Sequence, residues 1–209
     1  MDKQNNAIIE GVIWKQLLIF FFPILVGTFF QQLYNTIDAV IVGQYVGKEA
    51  LAAVGSTGSL INLIVGFFIG LSSGATVIIS QFFGAKDDRL VSRAVHTAMA
   101  LSIVGGLILM LIGIIFAPQA LLLMGVPDEI MTYATDYVRI YFLGMIPMMI
   151  YNMGSGILRA IGDSKRPLYF LIISCFVNII LDLVFVVLLK LEVVGVGIAT
   201  SLSQVVSAI

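Results

Sequence analysis

The sequence predicts an all-α fold, a polytopic membrane protein in which six transmembrane helices form one bundle. Of its 209 residues, 60% are hydrophobic and 11% are charged, whereas soluble domains carry about 25% charged residues. The mean hydropathy is +1.09. Six apolar segments are each long enough to cross about 30 Å of hydrocarbon, which requires roughly 20 helical residues. Together these observations indicate a chain that crosses a bilayer repeatedly.

The six predicted crossings follow one another along the whole chain. They cover approximately residues 14–41, 51–83, 94–116, 130–157, 168–189 and 193 onward. The connections between them are short, polar and rich in turn-forming residues, so none could hold a soluble domain. The last apolar run reaches Ile209 without a charged residue or a helix cap. We therefore expect residues 1–209 to be one six-helix membrane domain, truncated relative to a longer protein.

The basic residues predict the orientation of the chain. Eight of them lie at the N-terminus or in the second and fourth connections, namely Lys3, Lys15, Lys86, Arg89, Arg93, Arg159, Lys165 and Arg166. Three lie on the other side of the membrane, namely Lys48, Arg139 and Lys190. Because cytoplasmic segments carry the excess of Lys and Arg, we expect a cytoplasmic N-terminus.

Composition excludes several classes of function. A net charge of −1 argues against a nucleic-acid-binding surface. One cysteine, Cys175, and one histidine, His96, provide neither a disulfide framework nor a His-rich metal cluster. No Ser/His pair or reactive cysteine environment suggests catalysis, so we expect a protein without enzymatic activity or a cofactor.

Two acidic residues, Asp38 and Asp182, lie inside otherwise apolar crossings. An acidic side chain at mid-membrane costs about 2.5 to 3.5 kcal/mol unless it is paired or hydrated. Interhelical polar bonds average only about 0.6 kcal/mol, so a purely structural role in helix association does not offset that cost. We therefore interpret the two acids as functional, with helix association as the alternative.

Polar residues on two crossings lie on one face each. On the first crossing they recur at i, i+3, i+4 and i+7, and they are Gln31, Tyr34, Asn35 and Asp38. On the fifth they recur at i, i+4 and i+8, and they are Ser174, Asn178 and Asp182. Neither face suits contact with lipid, so we expect both to face a common interior.

Helix rise places Asp38, Asp182 and Thr200 at a similar depth in the membrane. At 1.5 Å per residue, Asp182 lies about 12 Å from Lys190, and Thr200 lies about 15 Å beyond that lysine. Asp38 lies ten residues before Lys48, at a similar depth. We expect a shared pocket in the outer half of the membrane, where two carboxylates take up a proton or a hard cation such as Na⁺. The neutral oxygens of Asn178 and Thr200 suit either ion.

The first crossing also contains a candidate hinge. Pro23 removes a backbone hydrogen bond and permits a kink, and Gly27 follows one turn later. A bend at this point would move the face that carries Asp38. Proline is also tolerated in membrane helices where it only shapes packing, so that interpretation stays open.

Three motifs resemble one transporter family. They are Pro23 followed by Gln31-Gln32-Leu33-Tyr34-Asn35-Thr36-Ile37-Asp38, the connection Arg159-Ala160-Ile161-Gly162-Asp163-Ser164-Lys165, and the stretch from Asn178 to Asp182. Together they resemble the N-terminal lobe of a bacterial multidrug and toxic compound extrusion (MATE) transporter, over essentially the whole chain. In that family two six-helix lobes export cationic drugs in exchange for H⁺ or Na⁺.

The resemblance implies roles for individual residues. The cation site of the N-terminal lobe corresponds to Asp38, Asn178, Asp182 and Thr200. Around the same cavity lie further candidates, Gln31, Tyr34, Tyr137 and Asn152, and the bending point of the first helix corresponds to Pro23. The implied partners are small organic cations, the lipid bilayer and a C-terminal lobe that is missing here. The implied location is the bacterial inner membrane.

We therefore predict an antiporter lobe in which cation binding at the acids expels a bound organic cation. One alternative is a lipid-linked oligosaccharide flippase of the same superfamily, which would line its cavity with Lys or Arg for a pyrophosphate group. No basic residue lies deep in any predicted crossing. The other alternative is a non-transporting membrane fragment or scaffold that needs a partner lobe.

Overall fold

The computed structural model describes residues 13–209, which are almost entirely helical. Its helices, in chain order, are α1 (Ile13–Ile41), α2 (Lys48–Gly84), α3 (Asp88–Leu123), α4 (Asp128–Leu143), α5 (Met145–Ala160), α6 (Lys165–Asp182) and α7 (Glu192–Ala208). Two π-helical turns, Val42–Val46 and Leu183–Leu188, continue α1 and α6. Lys3, which contributed to the predicted orientation, lies outside the described residues.

The predicted all-α, polytopic membrane fold is confirmed. Four helices are long and apolar enough to cross a membrane, namely α1, α2, α3 and α6, the first and last with their π-helical turns. The pair α4 and α5 makes a fifth crossing if it is counted as one bent span, and α7 is a shorter apolar helix. Each predicted crossing therefore corresponds to a helix or a helix pair.

The predicted crossing over residues 130–157 is built from two helices rather than one. α4 and α5 meet at Gly144 and are inclined to each other by 52°. Pro147 has no N–H to bond the carbonyl of Leu143, so the backbone ladder is interrupted at this junction. A Cβ on Gly144 would lie 3.0 Å from the Cα of Ser201 on α7. The bend therefore depends both on the proline and on a residue small enough to let α7 approach.

The turns that follow α2 and α5 share two features. Each contains one residue in the left-handed region, Lys86 with φ 57° or Gly162 with φ 88°, followed by an aspartate. The side chains of Asp87 and Asp163 each accept a hydrogen bond at 3.0 Å from a backbone N–H at the start of the next helix. Ordinary capping chemistry thus accounts for the similarity of these two connections.

The bundle exposes many large apolar residues on its outer surface and buries others, together with small and polar residues, between its helices. The exposed fractions of Phe22, Leu63 and Leu188 are 66%, 74% and 73%, as expected for side chains that face lipid. A central cluster of buried residues joins α3, α4 and α5, including Leu121, Val138, Phe142 and Met145. Gly113 on α3 has no space for a side chain, because a Cβ there would overlap the ring of Phe142.

An unpaired carbonyl on α3 receives a bond from another helix. Pro118 lies within α3 and has no N–H, so the carbonyl of Ile114 loses its partner in the helical ladder. Arg139 on α4 donates its Nε–H to that carbonyl at 3.3 Å. The side chain of Arg139 thereby replaces a bond that the proline removes.

Candidate functional site

The two membrane acids meet through one amide. Asp38 on α1 is 6% exposed, and Asp182, the last residue of α6, is 0% exposed. When the side-chain nitrogen of Asn178 faces them, it donates to Asp38 Oδ1 at 2.9 Å and to Asp182 Oδ2 at 3.3 Å. The opposite orientation sets the amide oxygen against two carboxyl groups, which is repulsive unless a proton or a cation lies between them.

Further oxygens beside this cluster lack partners. Asp182 Oδ1, Thr200 Oγ1 and the hydroxyl of Tyr34 are buried, and none has a hydrogen-bond partner within residues 13–209. A buried polar atom without a partner costs about 1 to 3 kcal/mol. These are oxygen ligands of the kind that hard cations prefer. The arrangement is thus suited to a proton or a small cation that completes the bonding of these oxygens.

The cluster borders a cavity of about 280 Å³. Most of the predicted site residues line this cavity, namely Gln31, Tyr34, Asp38, Tyr137, Asn152 and Thr200. Asn178 and Asp182 lie outside its lining and are fully buried in contact with Asp38. The structure therefore brings all eight predicted residues to one region, with one acid on the cavity wall and the other beneath it.

Interhelical hydrogen bonds position the residues of this region. The hydroxyl of Ser174 on α6 donates to the carbonyl of Ser203 on α7 at 2.7 Å, and both residues are buried. The thiol of Cys175 donates to the carbonyl of Phe30 on α1 at 3.8 Å. α6 is thus tied to both neighbours within two turns of Asp182, which fixes how the acids face each other.

The two π-helical turns contribute to an apolar cluster with the first turns of α7. Both π-helical turns begin within four residues of an acid, and their buried members Val42 and Val186 pack with Val193 and Val196 of α7. π-helical turns insert an extra residue per turn and are frequent at functional sites. These turns could not be predicted from the residues, because the same apolar types also fit an α-helix.

The cavity wall includes residues that the sequence reasoning missed. All but Met148 are aromatic or polar, and the residues are Asn62, Tyr141, Met148, Tyr151, Gln204 and Ser207. The rings of Tyr137 and Tyr141 lie 6.1 Å apart. Helical spacing in the sequence could have indicated some of these residues, since Thr200, Gln204 and Ser207 recur at i, i+4 and i+7. The two tyrosines recur at i and i+4.

Asn152 is held by hydrogen bonds, and Pro23 is buried within a continuous helix. The side-chain amide of Asn152 donates to the carbonyl of Met148 at 2.9 Å, and its backbone carbonyl accepts a bond from Ser72. Pro23 is buried, and α1 continues through it as a helix. A Cβ added to Gly27, one turn later, would lie 3.5 Å from Leu171 of α6, which is an ordinary contact distance.

The site offers oxygen ligands rather than a transition-metal cluster. Among residues 13–209, no group of three or more His, Cys, Asp and Glu side chains converges. Nor does any lysine or arginine of the described chain line the cavity. A pyrophosphate group would need such basic residues, so the lining does not suit the flippase alternative.

Comparison with known proteins shows consistent similarity. The model of the MatE family matches residues 23–184. The probable multidrug resistance protein YoeA of Bacillus subtilis is 34% identical over 197 residues, which is 92% of this chain and 42% of YoeA. The chain thus spans less than half the length of such relatives.

Two solved structures add conformational detail. The outward-facing conformation of a multidrug resistance MATE family transporter superposes with a TM-score of 0.91 at 28% identity, over 100% of this chain and 46% of that one. An inward-facing conformation superposes with a TM-score of 0.79 at 31% identity, over 85% of this chain and 40% of that one. The chain therefore superposes over its whole length on the first structure and over a smaller share on the second.

Proposed function

Because this chain belongs to the MatE family of multi-pass, non-enzymatic membrane transporters, we propose that it is the N-terminal lobe of an antiporter. The proposed transport is export of organic cations in exchange for H⁺ or Na⁺ across a bacterial cell membrane, with the N-terminus in the cytoplasm. The observation that carries the proposal is the pair of buried acids bridged by Asn178, beside a cavity that no basic residue of the described chain lines.

In the proposed mechanism, the coupling ion binds among Asp38, Asn178, Asp182 and Thr200. Two carboxyl groups that share one amide repel each other when both are ionised, and a proton or Na⁺ relieves that repulsion. Asp182 Oδ1 and Thr200 Oγ1 are the buried oxygens that lack partners in the described chain, so they have bonding capacity for the ion.

An organic cation competes for the same negative charge from the cavity side. Asp38 lines the cavity and supplies the charge, while Tyr34, Tyr137 and Tyr141 offer ring faces that attract cations. Once a coupling ion neutralises Asp38, the cavity loses most of its attraction for the organic cation. Exchange then follows, because the acids hold one positive charge more favourably than two.

The hinge proposal concerns the same helix. Pro23 and Asp38 both lie on α1, so a bend at the proline would change the distance between Asp38 and Asp182 on α6. Ion binding would then favour one form of α1. Alternating access also needs a second bundle that moves against this one around the site. The relatives are more than twice as long as this chain, which leaves room for such a lobe.

The proposal is tested by ion-driven efflux of a cationic dye from cells or vesicles that contain the intact protein. Asp38→Asn and Asp182→Asn should each reduce efflux at least tenfold. Asp136→Asn is the matched control, since Asp136 lies on α4 outside the cavity lining. Wild-type efflux by both site variants, at equal amounts in the membrane, would contradict the coupling role.

The identity of the ion is tested separately. Efflux driven by a pH gradient in Na⁺-free buffer would assign the proton as coupling ion, whereas efflux that requires a Na⁺ gradient at constant pH would assign Na⁺. Dye export that needs neither gradient would exclude antiport.

A further inference from the structure

A second cavity, of about 580 Å³, lies between α2 and α3, away from the acids. Its walls are formed by residues of α2 from Gly70 to Phe82 and residues of α3 from Leu90 to Leu101. Nearly all of these are apolar or small. It is an open groove on the side of the bundle, not an enclosed pocket, and we call it the α2–α3 groove.

The groove has the length of one lipid leaflet. The wall residues extend over about 18 Å on α2 and about 16 Å on α3, at 1.5 Å per residue. Half of a hydrocarbon core about 30 Å thick is about 15 Å. The groove begins at the helix ends beside the 85–87 turn, where the predicted crossings place the membrane surface, and it ends near the middle of both helices.

Glycines keep the groove open. A Cβ on Gly70 or Gly74 would meet nothing within 4 Å, so no helix of the described bundle packs against these residues. Gly70 and Gly74 line the groove, whereas Gly66, one turn earlier on α2, does not. A spacing of Gly-x-x-x-Gly usually allows close helix contact, but here it provides a channel for an apolar chain.

One charged side chain stands at the mouth of the groove. Arg93 is exposed and is the only charged residue among the described residues that line the groove. It forms no ion pair within residues 13–209, where the recorded ion pair joins Arg166 to Asp163. The hydroxyl of Thr97, the other polar lining residue, donates to the carbonyl of Arg93. The guanidinium group of Arg93 is thus available to an anion.

The surroundings of Arg93 are also basic. Lys86 and Arg89 are exposed on the same turn and helix end. Two acids are nearby, but Asp87 is engaged in capping α3, and only Asp88 is exposed. Basic residues at a membrane surface attract anionic lipid headgroups. The positive charge also disfavours the organic cations proposed for the other cavity.

We propose that the α2–α3 groove binds one anionic phospholipid, with an acyl chain along Gly70 and Gly74 and the phosphate at Arg93. The guanidinium can donate two parallel hydrogen bonds to phosphate oxygens, which is the geometry that arginine favours. In the proposed orientation the lipid belongs to the cytoplasmic leaflet. Charge complementarity at the mouth distinguishes this lipid from the uncharged or zwitterionic lipids around it.

The test is native mass spectrometry of the intact protein after exchange into vesicles of equal parts phosphatidylglycerol and phosphatidylcholine. Wild-type protein should retain phosphatidylglycerol in preference to phosphatidylcholine. Arg93→Gln and Gly74→Leu should lower that retention at least fivefold, because one removes the phosphate contact and the other fills the groove. The matched controls are Lys48→Gln, at the opposite exposed end of α2, and Gly66→Leu, and both should retain lipid as the wild type does because neither residue lines the groove.

Two results would overturn the proposal. Equal retention of the two lipids by the wild type would show that the charge of Arg93 does not favour the anionic lipid over the zwitterionic one. Unchanged retention in Arg93→Gln and Gly74→Leu would show that the groove holds another occupant, such as a helix of a partner lobe. A circular dichroism spectrum and the melting temperature of each variant establish that it is folded.

Discussion

At the scale of single residues, Asn178 is the side chain on which the acid pair depends. Its amide bonds both Asp38 and Asp182 and is 0% exposed. Hydrogen bonds to charged groups contribute about 1.5 to 3 kcal/mol. A leucine of similar volume at this position would leave two carboxyl groups adjacent without a donor between them.

We predict that Asn178→Leu reduces ion-driven efflux at least tenfold and lowers the melting temperature of the intact protein. Asn35→Leu serves as the control, because Asn35 lines the same cavity with an exposed side chain. That variant should keep the wild-type melting temperature. Equal effects of the two substitutions on both measurements would show that the amide at 178 has no particular role.

The second prediction at this scale concerns Arg139 and the carbonyl of Ile114. Arg139→Leu should destabilise the protein by about 1 kcal/mol, the net contribution of a typical hydrogen bond. In a Pro118→Ala background the alanine restores the N–H that the carbonyl lacks, so the same substitution should then cost little. Thermal or denaturant unfolding of the four proteins of this double-mutant cycle measures the coupling. Additive effects would refute the replacement of one bond by the other.

At the scale of helices, glycines on α2 and α3 have opposite roles. Gly113 is buried against the ring of Phe142, whereas Gly66 faces open space. Gly113→Ala should destabilise the bundle by about 1 to 3 kcal/mol, as for other overpacked cores. Gly66→Ala should stabilise it by about 0.5 to 1 kcal/mol, because alanine lowers the entropy cost of forming a helix.

A compensating change provides the control for Gly113. In a Phe142→Leu background the space that the ring occupied becomes available, so adding Gly113→Ala should cost less than it does in the wild type. Unfolding of the single and double variants in one detergent gives the comparison. If Gly113→Ala costs the same in both backgrounds, the ring of Phe142 is not what limits this position.

The helices also show what the sequence could and could not predict. Apolar length located the four long helices and the bent pair, because crossing the bilayer requires about 20 apolar residues. It did not locate the break at Gly144, which depends on Pro147 and on the approach of Ser201 from a helix far along the chain. Local pattern fixes where a helix exists, whereas its bends depend on what packs against it.

The candidate site shows the same contrast between what the local sequence pattern predicts and what depends on packing. Helical periodicity placed Asp38, Asn178 and Asp182 on inward faces, and helix rise placed Thr200 at their depth. The structure brings these four residues to one region. Periodicity could not show that Asn178 bridges the two acids. Nor could it show that Asp182 lies beneath the cavity wall, since both features depend on how α1 and α6 are rotated about their axes.

At the scale of the whole molecule, exposed surface has two different meanings. Asn35 on α1 and Leu63 on α2 are both exposed, but Asn35 lines the cavity near the acids and Leu63 does not. In a bilayer the first would contact water and the second would contact lipid. Polar groups inside a membrane persist where they line a water-filled cavity.

We predict that cysteines at these two positions differ in reactivity by at least tenfold. The natural Cys175 borders the cavity and would be replaced first, with Cys175→Ala shown to retain efflux. A charged, water-soluble thiol reagent should then label Asn35→Cys quickly and Leu63→Cys slowly, because the thiolate that reacts forms only where water is present. Excess Na⁺ or organic cation should slow labelling at position 35 alone. Equal labelling of the two cysteines would mean that the cavity is not hydrated in the intact protein, and ion exchange at Asp38 would then have no aqueous route.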